Sequence, residues 1–220
     1  MIRPCAALLV IGTLLPLATP ARAQPSAASF LARAERERQR PRRQLAILRR
    51  GVTRLPGELE LARALARALT PRDAASARLD SAEARHAVEA RAALEAVVLD
   101  DPQTRHLLDL QLAWLRALTG DCSGASAEIT QRDPRVDRAA ALTLRQIAAL
   151  AIRRGDLRVA SVALDRARAA DATFQGLDLS RAALACARGQ DERAVALLRA
   201  RLERHPADDP TRHALAGALL

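Results

Sequence analysis

AAALTLRQIAALAIRRGDLRVASVALDRARAAD, residues 139–171, is the stretch that decides the fold. Leu144, Ile147, Ala148, Ala151 and Ile152 recur at helical spacing and give a first helix with a broad apolar face. Arg153 and Arg154 close its last turn, where cations suit the negative end of the helix dipole. Gly155 can take the left-handed conformation that ends a helix, and Asp156 offers a side-chain oxygen to cap the next one. Val159, Ala160, Ala163, Leu164 and Ala167 then form a second apolar stripe. The same sequence logic recurs on both sides. Gly120, Gly155 and Gly189 stand 35 and 34 residues apart, each has an aspartate within two residues, and Ala125, Ala160 and Ala194 follow five residues on. A fixed period of this length marks stacked helical hairpins.

Working outward, Ala182, Ala183 and Leu184 lead to Gly189, and Ala194, Leu197, Leu198 and Leu202 follow before His205 and Pro206. Upstream, Leu108, Leu112 and Leu115 lead to Gly120, then Ala125 and Ile129 run toward Pro134. Each proline is expected to end a helix at or before the residue preceding it. RRQLAILRRGVTRLPGE at 42–58 aligns with ERAVALLRARLERHPAD at 192–208, an offset of 150 residues. VEARAALEAVVLDDP, residues 88–102, is expected to be another second helix with a terminal proline. The interval from Pro56 to Pro102 is 46 residues, longer than the period, so an insertion is expected near 71–81.

Half the chain is hydrophobic while aromatic residues make up 1%, so the core has to be alanine, leucine, valine and isoleucine. Alanine and leucine are the strongest apolar helix formers. No run of β-branched residues alternates at period two. The fold class is all-α. The first 23 residues read as a secretory signal peptide: Arg3, an apolar run from Cys5 to Leu17, then Ala21-Arg22-Ala23 as a small-residue cleavage site. Gly12 and Pro16 break that run and leave it short of a membrane span, and Cys5 precedes it, against a lipoprotein. The expected organisation is a signal peptide (1–23), a basic helical hairpin (24–56), a weaker repeat with the insertion (57–104), clear repeats (105–207) and a C-terminal capping helix (208–220). The expected location is periplasmic, with secretion as the alternative.

All positive charges are arginine; lysine, asparagine and tyrosine are absent, as a GC-rich genome would produce. Nine arginines face Glu35 and Glu37 in residues 24–56, whereas 24 arginines meet 23 acids in 57–220. The basic excess therefore sits in the first hairpin, either as a solvated helix face or as an attraction to acidic lipid or polysaccharide. No aromatic residues interleave with those arginines, which disfavours nucleic acid. Cys122 and Cys186 lie too far apart in the repeat phase for a disulfide between neighbouring units, and small buried hydrophobes is the reading preferred for both.

Gly155-Asp156-Leu157 followed by Ala160, Leu164, Ala167 and, in the last unit, Pro206, resembles the tetratricopeptide repeat, well over 105–220 and more weakly over 42–104. The family's large aromatic near the start of the first helix is Leu144 here and its later aromatic is Ala151, while the small residue between is kept as Ala148. The resemblance implies a right-handed αα-superhelix; another αα-repeat is the alternative. In tetratricopeptide proteins the first helices line a concave groove. At matching positions the resemblance implies groove residues Leu110 and Trp114, Arg145 and Ala149, Leu179 and Ala183, and His213, with Arg63 and Arg67 through the weaker register. Trp114 is either an aromatic anchor there or core, since leucines surround it in sequence. Arg63 and Arg145 are either groove contacts or solvated charges. The apolar end Ala218-Leu219-Leu220 either docks on a partner or a second copy, or packs inward.

The histidines are scattered and neither a metal-ligand spacing, a phosphate loop nor a nucleophile elbow is present. No enzyme activity, cofactor or metal is expected. The expected function is an exported scaffold binding a protein or peptide of the cell envelope, in outer-membrane, exopolysaccharide or secretion assembly or cofactor-protein maturation. The alternative is a basic-segment binder of acidic lipid or polysaccharide.

Overall fold

The computed structural model describes residues 25–71, 73–132, 137–174 and 176–219. The expected signal peptide, Pro134 and Leu220 lie outside the described residues. The described residues form eleven helices and no strand: α1 (Ala27–Arg36), α2 (Pro41–Arg54), α3 (Leu59–Leu69), α4 (Ser81–Glu95), α5 (Pro102–Leu118), α6 (Cys122–Arg132), α7 (Arg138–Arg154), α8 (Leu157–Ala170), α9 (Leu177–Ala187), α10 (Asp191–Arg204) and α11 (Asp209–Ala218). Consecutive helices pack on one another along the chain, as in an all-α solenoid.

The hairpin of α7 and α8 shows why. Gly155 has φ +82°, its N–H donates to the Ile152 carbonyl at 3.0 Å, and the Asp156 N–H donates to Ala151 at 2.8 Å. This paired closure satisfies two of the carbonyls that a helix end leaves open. Gly189 repeats it with φ +69°, bonding Cys186 while Gln190 bonds Ala185, both at 2.9 Å. The aspartates behave differently from the expectation. Asp121 does cap, accepting the Gly124 N–H at 2.7 Å. Asp156 stands at the cap position without a side-chain bond, and Asp191 is already the first residue of α10. The Leu157 N–H bonds the Gly155 carbonyl at 2.9 Å, as the Cys122 N–H bonds Gly120 at 3.1 Å in the turn that Asp121 does cap. Asp191 in the first turn still suits the positive end of the helix dipole.

The core follows the alanine and leucine stripes. Leu144, Ile147, Ala148 and Ala151 of α7 and Ala160, Ala163, Leu164 and Ala167 of α8 are fully buried. The odd-numbered helices stack, α1 on α3 and then α5 on α7, α7 on α9 and α9 on α11, while among the even-numbered ones α6 packs on α8. Between α3 and α5 that stack is interrupted, and α4 on α5 carries the chain across. The 70–80 connection lies there, with Ala74 and Ala77 buried. It ends at Leu79, a left-handed residue (φ +60°) whose N–H is held by the Glu83 carboxylate at 2.7 Å, while Asp80 caps the Glu83 N–H at 2.7 Å. Residues 88–102 are not one helix. α4 stops at Glu95, and Pro102 opens α5 at its first turn, where its missing N–H removes no bond.

The sequence offset between 42–58 and 192–208 is also spatial. Leu48 and Leu198 are equally buried, as are Leu61 and Thr211. They differ at the crossing point. In the first pair Gly51 lets α2 approach so closely that an added Cβ would meet Leu61 Cδ2 and Phe30 Cγ at 3.1 Å. In the last pair the matching residue is Arg201, which donates to Thr211 at 2.9 Å and pairs with Asp208 at 2.6 Å. Leucine-type packing thus gives way to a polar clamp under α11. Gly51→Val is expected to destabilise the protein by about 2 kcal/mol through overpacking. A chemical-denaturation midpoint equal to wild type would disprove the close approach.

Candidate interaction surfaces

The nine groove candidates are spread along the odd helices, and the structure places them unequally. Leu110 and Trp114 are buried in the main core, at 5% and 8% exposure. Leu110 is therefore corrected from groove to core, and of the two places open to Trp114 the structure takes the interior. α5 is held by α4, α6 and α7, so its apolar sides are covered on more than one flank. Arg63 pairs with Glu60 at 3.6 Å. Arg67 is exposed and lines a crevice between α1, α2 and α3 together with Leu31, Leu48 and Ala64. Leu179 is half-buried against the small cluster of α9, α10 and α11, and Ala183 is exposed. His213 is exposed and donates through Nδ1 to the Asp209 carbonyl at 2.8 Å.

Arg145 and Ala149 share one face of α7 with Arg153, at four-residue spacing. The 70–80 connection lies against that face. Arg153 donates to the Ala74 carbonyl, and the Asp73 carboxylate feels the Arg145 guanidinium. Arg145 also stands over the Phe174 ring at 5.8 Å, with its Nε buried and unpartnered. At α7, then, the odd-helix face carries the chain's own loop. Ala149 is half-buried, packed against the main core.

Sequence reading assigned Arg153 and Arg154 to the helix dipole and missed where they reach. Arg154 donates to the Ala117 carbonyl at 2.6 Å and the Leu118 carbonyl at 2.9 Å, and to Cys122 Sγ at 3.4 Å. It holds the end of α5 from the end of α7. Arg188 donates to the Leu157 carbonyl at 3.1 Å, reaching the start of α8 and not the end of α7. The signal was present: both arginines immediately precede a repeat glycine, 34 residues apart.

On the first hairpin, Arg49 is bound by Glu89 at 2.6 and 2.7 Å, Arg38 pairs with Glu35, and Arg40 pairs with Glu37. Arg33, Arg36, Arg42, Arg43, Arg50 and Arg54 are exposed with no ion-pair partner among the described residues. The cysteines form no disulfide. Cys122 is buried, but Cys186 is exposed, a correction to the buried reading, because it lies beside the α9–α10 turn. At the C-terminus Leu215 and Ala218 pack against the small cluster while Leu219 is 60% exposed.

Several carboxylates are held below their ordinary range. The Arg49 fork does this for Glu89, the Gly124 N–H and then Arg116 for Asp121, and Thr211 and then Arg201 for Asp208. At Asp137 burial pushes upward, but the N–H groups of Ala139 and Ala140 and the bond with His106 outweigh it. A depressed folded-state value means the unfolded chain binds more protons in acid. Stability is then fully present above the ordinary carboxylate value of about 4 and is lost as pH falls through the folded values. The thermal midpoint is expected to drop as pH is lowered from about 5 to about 3. A flat profile would show that these hydrogen bonds contribute nothing net.

Among the described residues no group of three or more His, Cys, Asp or Glu is placed to hold a metal, and no helix is long and apolar enough to cross a membrane. A scan of the chain against protein-family models gives no match, and a search of curated proteins finds no similar sequence.

Proposed function

We propose that this chain is an exported, periplasmic scaffold of the tetratricopeptide type that holds a protein or peptide of the cell envelope. The observation that carries the reading is the stacking of α5 on α7, α7 on α9 and α9 on α11, as in an αα-repeat array. Rigid repeats of this kind bind by presenting a surface larger than any single helix supplies. Assembly of the outer membrane, of exopolysaccharide or of a secretion apparatus would use such a scaffold. Export is tested by expressing the full chain in a Gram-negative host, then fractionating it and weighing the mature protein. A periplasmic product starting at Gln24 is expected, and a cytoplasmic full-length product would end the export reading. Binding is tested by affinity capture from envelope extract at low and moderate salt. Discrete proteins retained at both are expected.

A second reading has its own observation, six arginines on α1 and α2 with no ion-pair partner among the described residues. There the hairpin would hold acidic lipid or polysaccharide and the repeats would serve as a spacer. Exposed charges are screened within about 8 Å at physiological salt, so this contact would weaken steeply with ionic strength. Capture of lipid or polysaccharide alone, released by salt, selects this reading over the scaffold.

A further inference from the structure

α6 and α8 pack together, and Arg166 donates across them to the buried Ser126 at 3.2 Å. One hairpin further on, the matching crevice is open. α8 and α10 stand apart with α9 between them, leaving a cleft of about 320 Å³. Leu197, half-buried, lies on its wall above the buried Leu164 and Leu184, and Arg168, Arg181, Arg188 and Arg193 supply the charge. A neighbouring cleft of about 360 Å³ shares Arg168 and Arg181 and adds Phe174 and Arg204. Together they make a trough with five guanidinium groups against two carboxylates, Asp165 and Asp178. Both acids are already engaged, Asp165 by Arg181 at 3.2 Å and Asp178 by Arg204 at 2.8 Å. Arg168 has no partner among the described residues, and Arg193 has the Gln190 side-chain oxygen at 3.3 Å.

We propose that this trough docks an acidic amphipathic segment of a partner protein, with an apolar side chain on Leu197 and carboxylates on Arg168 and Arg193. The guanidinium fork matches a carboxylate in two parallel hydrogen bonds. Exposed ion pairs alone contribute little, so a ligand must also cover Leu197. An inorganic anion or an anionic sugar would leave Leu197 wet. The inference rests on the scaffold reading only in taking the ligand to be a protein, and it concerns a surface away from the stacked odd-helix face.

The test is fluorescence anisotropy on the full chain with a labelled peptide carrying leucines at three- and four-residue spacing and Asp or Glu between them. A second peptide replaces the leucines with serine. The wild-type chain is expected to bind the leucine peptide, and the serine peptide about tenfold more weakly. Arg168→Glu with Arg193→Glu is expected to weaken the leucine peptide by at least about tenfold. Neither residue holds a structural ion pair, so circular dichroism should match wild type. Arg42→Glu with Arg43→Glu on α2 should leave binding unchanged. Absence of binding, equal binding of both peptides, indifference to the Arg168 and Arg193 reversal, or loss through the Arg42 and Arg43 reversal each overturns the proposal. Envelope proteins retained as well by the Arg168 and Arg193 variant as by wild type would also overturn it while leaving the scaffold reading intact.

Discussion

Replacing Trp114 with alanine is expected to lower the free energy of unfolding by about 3–5 kcal/mol, the range for deleting a large aromatic from a core. The effect should lie toward the upper end because of what surrounds the ring. The chain has one tryptophan, two phenylalanines and no tyrosine, and the flanking positions on α5 include Ala113 and Ala117, both buried. Alanine side chains cannot swing into a vacated volume, and the buried Leu110 and Leu118, one turn away on either side, would fill only part of it. Trp114→Phe should recover much of the loss. Trp114 is also the chain's own reporter: native emission should be short in wavelength and poorly quenched by acrylamide, and both properties should change on unfolding. Binding a partner should leave the emission in place. A near-wild-type midpoint for Trp114→Ala, with strong quenching of the native protein, would instead return the residue to the surface.

Trp114 also marks how far a period can be read. The spacing of Gly120, Gly155 and Gly189 located three hairpin turns, because ending a helix in the left-handed region demands a residue without a Cβ. All three have positive φ. The stripes of α7 and α8 were equally legible, since a helix must bury one apolar face. The period does not reveal whether a second face is covered too. That depends on the neighbouring helices, and it is why Leu110 passed for a groove residue. The aspartates failed for a local reason. Asp191 follows its glycine one residue later than Asp121 does, and so falls inside α10 instead of at its cap, while Asp156 holds the cap position and makes no side-chain bond there. At 88–102 helix-forming composition ran past Glu95, and the proline belonged to the start of the next helix instead of the end of the last. The Arg145 face was legible as a surface, but its occupation by the 70–80 connection was not. That contact joins Arg153 to Ala74 across 79 residues and follows no repeat. For the α8–α10 trough, sequence gives the arginines without the gap between the helices that gathers them.

Arg154→Met is expected to cost about 3 kcal/mol, the scale of hydrogen bonds to a charged donor when a buried acceptor is left behind. Methionine keeps an unbranched stem along the helix and removes only the guanidinium, so packing is largely preserved. What is lost is specific. The Leu118 carbonyl at the end of α5 loses its guanidinium donor, the Ala117 carbonyl is left with the Gly120 N–H, and the turn into α6 loses its tie to α7. Arg188→Met removes a single bond, at the exposed Leu157 turn, and should cost about 1 kcal/mol or less. Thiol labelling localised by peptide mass adds a second readout. Cys186 is exposed and should react quickly in both proteins, serving as internal reference. Burial pushes the Cys122 thiol up, and Arg154 opposes that shift. Losing Arg154 therefore makes the thiol chemically less reactive, so faster labelling of Cys122 in the variant can come only from opening of the turn. Faster Cys122 labelling with a lowered denaturation midpoint is the expected pair of results. Unchanged midpoint and unchanged labelling would mean that α5 and α7 are joined by their apolar faces alone, with the arginine merely resting on the turn.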